Sequence, residues 1–162
     1  MKEILFYIRE EAYGWLSNFE RTPFEVDGKI YPTNEHYYQS QKGKSHELRE
    51  YIRRAPNATI AMGIGRMLEQ QPYDKYLADD WYKDAGTDHP KKLDVMLKGL
   101  RHKFKDPILR KLLLNTGDAV IHEHTEDDFF WGDGGNDEGE SWLGKLLMQV
   151  REEIRTSGDN TT

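Results

Sequence analysis

Apolar residues recur at helical spacing over three stretches in the second half of the chain. Leu93, Leu97, Leu100 and Phe104 stand three or four residues apart, in a helix expected to open at Pro90. Asp106-Pro107 reads as an N-cap followed by the first helical residue, and Gly117 closes the helix that carries ILRKLLLNT. In a last helix Leu143, Leu147, Val150 and Ile154 form one stripe, with Arg151, Glu152, Glu153 and Arg155 expected to face water. The rest of the chain is patterned differently. Short runs rich in β-branched and aromatic residues, EILFYI at the start and AVIHE at 119–123, read as strands. FEV and KIY flank Asp27-Gly28, the dipeptide that a two-residue hairpin turn favours because both of its central residues take positive φ. Thr33, Ser45 and Asn57 are N-caps for three further helices, over NEHYYQSQ, HELREYIRR and ATIAMGIGRML. The class is α+β, helix-rich, as a single domain with a small sheet that includes the 24–31 hairpin. Residues 1–155 are expected to form that domain, and 156–162 a flexible tail.

One of these helices does not fit a core-building role. After Pro32-Thr33 the chain runs NEHYYQSQK with no aliphatic residue. Glu35, Tyr38, Gln39 and Lys42 fall at i, i+3, i+4 and i+7, so one face carries a carboxylate, a phenol, an amide and an ammonium group. The helix start favours an ionised carboxylate, whereas burial among aromatics favours the protonated one. A glutamate between those influences is suited to general acid–base work. The plain alternative is a first-turn glutamate that complements the helix dipole.

Composition narrows the classes. A chain of 162 residues without cysteine excludes disulfides and thiolate metal sites, and is expected to be a soluble cytoplasmic protein with no membrane span. The net charge of −6 argues against bulk binding to a nucleic-acid duplex. Four Trp and nine Tyr leave room for an aromatic-lined pocket.

Two other regions hold candidate chemistry. HEHTEDDFFWGDGGNDEGESWLG (122–144) is too long to be only a turn, and Phe129, Phe130 and Trp131 follow Asp128 directly. A calcium loop counted from Asp133 fails at Gly135, and His122 with His124 lacks a third ligand, so no metal is expected. GWLSNF (14–19), GIGRM (63–67) and DDW (79–81) are scattered; Gly63 and Gly65 point to close backbone approach or a helix end, Arg66 to a phosphate or to plain surface, and Trp81 to a base or to the core. Phosphate-loop and dinucleotide fingerprints are absent, and Ser17 has no partner base.

Taken in order, LSNF, PFEVDGKIYPTNEHYYQSQK, GIGR, Trp81, VM at 95–96, KF at 103–104, TGD at 116–118, DFFWG and LGKLLMQVR resemble the YbiA/NADAR family, from about residue 6 to residue 155. The resemblance implies cleavage of N-glycosidic bonds without metal or redox cofactor. YbiA-like members hydrolyse phosphoribosylamino-pyrimidine intermediates of riboflavin synthesis; others remove ADP-ribose from guanine in nucleic acid. It places the catalytic set on Glu35, Trp81 and Asp128, with Asp127 as the neighbouring match for the last. Glu35 would take the acid–base role, and Asp128 would stabilise charge or orient water. Trp81 and Trp131 would stack the leaving base, Lys42 and Arg66 hold a phosphate, and Asn18 bond sugar or base, with Phe19, Tyr38 and Gln39 lining the substrate. Two positions depart from the family pattern: a usual lysine is Met62, and a usual asparagine is Ser141. The expected partner is a small phosphoribosyl or ADP-ribosyl substrate, and the readings beside the first are an ADP-ribosyl-guanine hydrolase and a non-catalytic nucleotide-binding module.

Overall fold

The structure, a computed structural model, describes residues 2–8, 11–82 and 91–158. Its elements follow in the order β1 (Glu3–Phe6), β2 (Phe24–Val26), β3 (Lys29–Tyr31), α1 (Asn34–Ser40), α2 (His46–Arg53), α3 (Ala58–Met67), α4 (Lys91–Lys103), α5 (Pro107–Asn115), β4 (Val120–Glu123) and α6 (Trp142–Gly158). Short 3₁₀ turns stand at Gly14–Leu16 and Asp74–Tyr76. This is the helix-rich α+β class read from the sequence. The strands form two pairs rather than one sheet, β1 with β4 and β2 with β3. Pro90, the expected start of α4, and residues 159–162 of the expected tail lie outside the described residues, while 156–158 continue α6. Two compact units divide the chain, one of residues 21–102 and one of residues 1–20 with 103–162.

In the 21–102 unit, β2 and β3 pair antiparallel with Phe24 opposite Tyr31. Asp27 at φ 51° and Gly28 at φ 77° turn the hairpin as the dipeptide requires. Phe24, Val26 and Tyr31 pack on Tyr37 of α1, whose ring meets that of Tyr31 edge-on at 5.1 Å. The three predicted N-caps all form, with Thr33, Ser45 and Asn57 side chains accepting from the N–H groups of His36, Leu48 and Ile60. Every residue of α1 is buried despite the lack of aliphatics. Its histidine is satisfied locally: His36 donates from Nε2 to the Ala55 carbonyl at 3.1 Å and accepts at Nδ1 from the Thr33 hydroxyl at 2.8 Å. Burial pushes the His36 imidazole below its usual range, in keeping with this neutral form.

In the other unit β1 runs parallel to β4, Ile4 beside Ile121. The stripe predicted for α6 is its buried face, with Leu143, Leu147, Val150 and Ile154 all under 9% exposed. Gly144 lies so close to β4 that an added Cβ would stand 1.9 Å from the Ile121 carbonyl oxygen. Only glycine permits that approach. Arg151 corrects the sequence reading: it does not face water but is 4% exposed, donating through Nη1 to Thr116 Oγ1 at 2.8 Å and to the Ala119 carbonyl at 2.9 Å. The chain between α5 and β4 turns across the helix there, so the carbonyl and hydroxyl replace water around the guanidinium.

Candidate active site

Within the 21–102 unit the face expected of α1 is assembled. Glu35, Tyr38 and Gln39 are 4–6% exposed, and Lys42, just past the C-cap, is 3% exposed. Gln39 donates from Nε2 to Glu35 Oε1 at 2.6 Å, one helical turn apart. The Gln39 amide lies over the bare Cα of Gly65 on α3, where an added Cβ would come within 1.9 Å of Oε1. The sequence reading of close backbone approach at GIGRM is therefore met by Gly65, whereas Gly63 has open space around it.

Backbone bonds from Lys44 N–H to the Tyr76 carbonyl and from Ala78 N–H to the Lys42 carbonyl tie the end of α1 to the segment carrying Trp81. Trp81 is 2% exposed and meets the Tyr38 ring at 5.5 Å and 66°. Lys42 Nζ stands 5.3 Å from the Tyr38 ring centre and 5.6 Å from that of Trp81, and donates to Glu69 Oε2 at 2.8 Å. Glu69 Oε1 accepts from Trp81 Nε1 at 3.3 Å and from the Tyr82 hydroxyl at 3.2 Å. Glu35, Tyr38, Gln39, Lys42 and Trp81 are thus brought together. Arg66 instead lies exposed in the last turn of α3, with Met62 half-buried one turn before it. Glu69 escaped the sequence reading, since a glutamate shortly after a helix end carries no local signal.

The other unit holds the remaining candidates. Asn18 is 7% exposed and Phe19 half-buried, both just after the Gly14–Leu16 turn. Ser17 Oγ accepts from the Phe19 N–H at 3.2 Å, a turn-stabilising role that needs no nucleophile. Behind this segment Lys103, 1% exposed, donates from Nζ to the carbonyls of Trp15 at 2.8 Å, Ser17 at 2.8 Å and, at 3.4 Å, Leu16. Sequence reasoning passed over this lysine, which KF marks only as part of a motif.

The 124–141 segment is held together by its own side chains. Asp133, 1% exposed, accepts at Oδ1 from the N–H groups of Thr125 and Gly135 and bonds His124 Nδ1 through Oδ2 at 2.7 Å. Burial pushes this carboxyl up, but the His124 ring and the two N–H groups outweigh it and hold Asp133 below the usual carboxylate range. Asp128, half-buried, accepts at Oδ1 from the N–H of Phe130 at 2.9 Å and of Trp131 at 2.7 Å, which fixes the carboxylate against the backbone that carries the half-buried Trp131. Asp127 is exposed. His122 and His124 bond separate partners, Ser141 Oγ and Asp133. Ser141 sits at φ 51°, a left-handed conformation that asparagine tolerates far better than serine. Ser141→Asn is therefore expected to raise stability by about 0.5–1 kcal/mol, read as a higher thermal midpoint. A lower midpoint would mean that the His122 hydrogen bond outweighs the backbone strain.

Against known proteins, a family model described as the NADAR domain matches residues 5–155. N-glycosidase YbiA of Escherichia coli is 43% identical over 152 residues, covering 93% of this chain and 88% of that protein. A riboflavin biosynthesis protein of Vibrio vulnificus is 38% identical over 153 residues, covering 94% of this chain but 38% of that longer protein. The NMR structure of E. coli YbiA superposes with a TM-score of 0.84 at 40% identity, covering 99% of this chain and 89% of that one.

Proposed function

The chain belongs to the NADAR family and is an N-glycosyl hydrolase, and from that premise we propose that it cleaves phosphoribosylamino-pyrimidine intermediates of riboflavin synthesis to ribose 5-phosphate and the free pyrimidine. The observation that carries the mechanism is Glu35, a buried carboxylate held at 2.6 Å by Gln39 on a helix with no aliphatic residue. The name of the E. coli relative supports the reaction, and that of the Vibrio relative supports the substrate class.

In this reading the bond from the ribose anomeric carbon to nitrogen breaks with its electron pair leaving on nitrogen. Glu35 donates a proton there, and the sugar passes through an oxocarbenium-like transition state. A water oxygen then bonds the anomeric carbon, and one of its protons passes to the Glu35 carboxylate, which restores the acid. Asp128 takes the second carboxylate role; its Oδ1 is fixed by two backbone N–H groups, which keeps the carboxylate aimed without reorganisation. The Lys42 ammonium and the exposed Arg66 guanidinium supply the charges for the 5′-phosphate. Tyr38 and Trp81 wall the ammonium, and the half-buried Trp131 offers a ring for the pyrimidine. Asn18 and Phe19 supply the remaining polar and apolar contacts to sugar and base.

The deciding measurement is a release assay on 5-amino-6-(phosphoribosylamino)pyrimidine substrates beside an ADP-ribosyl-guanine oligonucleotide. Ribose 5-phosphate from the first is the expected product. Release of ADP-ribose alone would replace this reading with action on modified nucleic acid. Ligand binding with no product from either would identify a binding module.

A further inference from the structure

Glu69 stands two residues past the end of α3, where a glutamate ordinarily points to solvent. Here its side chain turns inward, 29% exposed, and divides its two oxygens between different elements. Oε2 takes the Lys42 ammonium at 2.8 Å; Oε1 takes the Trp81 indole N–H at 3.3 Å and the Tyr82 hydroxyl at 3.2 Å. A simple surface pair would face its lysine alone and be worth little. This carboxylate instead joins two residues of the candidate site that are far apart in sequence, and one of them is an ammonium only 3% exposed.

We propose that Glu69 is a positioning residue for the glycosidic reaction, its single carboxylate setting the Lys42 ammonium and the Trp81 indole in one fixed relation. The proposal rests on the reading that Lys42 and Trp81 belong to the active site. Glu69 itself need not touch substrate. With the carboxylate removed, the ammonium keeps, among the described residues, the two ring faces, and the indole N–H loses the Glu69 acceptor. Both groups then sample orientations that the reaction does not use, and misplacement on this scale costs activity out of proportion to any loss of contact.

The test has two halves. In nitrogen–proton correlation spectra of the whole protein, the Trp81 indole signal is identified by its disappearance in Trp81→Phe. Glu69→Ala is expected to move that signal while those of Trp15, Trp131 and Trp142 hold their positions. In turnover, Glu69→Ala is expected to lose at least about tenfold in kcat/KM, and added formate or acetate to restore part of it by entering the space left by the side chain. Glu69→Gln, close in size, guards against misfolding: it keeps an acceptor for Trp81 but not the charge facing Lys42, and its defect is not expected to respond to formate. An unmoved Trp81 signal, wild-type turnover in Glu69→Ala, or a defect deaf to both small carboxylates would overturn the proposal. If the parent protein turned over neither substrate, the failure would lie with the proposed activity, and the spectral half alone would still decide the Glu69 contact.

Discussion

Glu35→Gln is expected to lower kcat by about two to four orders of magnitude, the range that a positioned general acid–base contributes. The substitution preserves shape. A glutamine at 35 can still accept from Gln39 Nε2 through its amide oxygen, so the 2.6 Å contact that sets the side chain has a neutral counterpart. It removes only the proton-transfer group. Because the carboxylate is 6% exposed on a helix crowded with aromatic rings, replacing it by an amide is expected to leave the thermal midpoint unchanged or raised. Loss of turnover with stability retained would mark a site in which fold stability is traded for chemistry. Turnover within tenfold of the parent would remove Glu35 from the acid–base role, since no shape change could mask so small a chemical contribution.

The second large effect is expected at Lys103. Lys103→Met fills nearly the same volume but removes the Nζ donor that stands 2.8 Å from the Trp15 and Ser17 carbonyls, leaving Ser17 with the Glu20 N–H at 3.1 Å. Loss of a donor to a buried carbonyl costs about 1–3 kcal/mol, and a loss in that range is expected at pH 9. The pH dependence is the sharper signature. Burial pulls the Lys103 ammonium down to about 7, with Glu20 acting the other way. The folded state therefore releases a proton near pH 7, whereas the unfolded chain holds it until pH 10.5. Between those values the unfolded state binds more protons, and stability from this group rises with pH by up to roughly 1.4 kcal/mol per unit. Below pH 7 both states carry the charge and the contribution is at its lowest. Urea denaturation at a series of pH values should show parent and Lys103→Met diverging from pH 7 upward. Convergence as pH rises would show that the ammonium stays charged in the folded protein. Because Lys103 holds the carbonyls that precede Asn18, the same variant reports on the LSNF segment.

Much of the fold was legible because its signals are local. Thr33, Ser45, Asn57 and Asp106 cap helices through side chains that reach N–H groups two or three residues away, and Asp27-Gly28 turns its hairpin through φ values set by those two residues. The stripe of α6 follows from helical period alone. The α1 face was also legible: four residues at i, i+3, i+4 and i+7, all of them found buried. The family motifs likewise lie in short runs of sequence.

What the sequence by itself determined, then, is where helices and turns begin, which faces are apolar, and which family the chain belongs to. Only the tertiary structure decided what becomes of charge. Arg151 lies in a charged run with a solvated pattern and is buried; Lys103 and Glu69 carry no local signal of their contacts, yet one holds carbonyls 86–88 residues away and the other joins Lys42 to Trp81. The reason is physical. Capping and periodicity depend on covalent spacing, which the chain carries with it, whereas the state of a charged side chain depends on desolvation and on donors or acceptors that arrive only when distant segments pack.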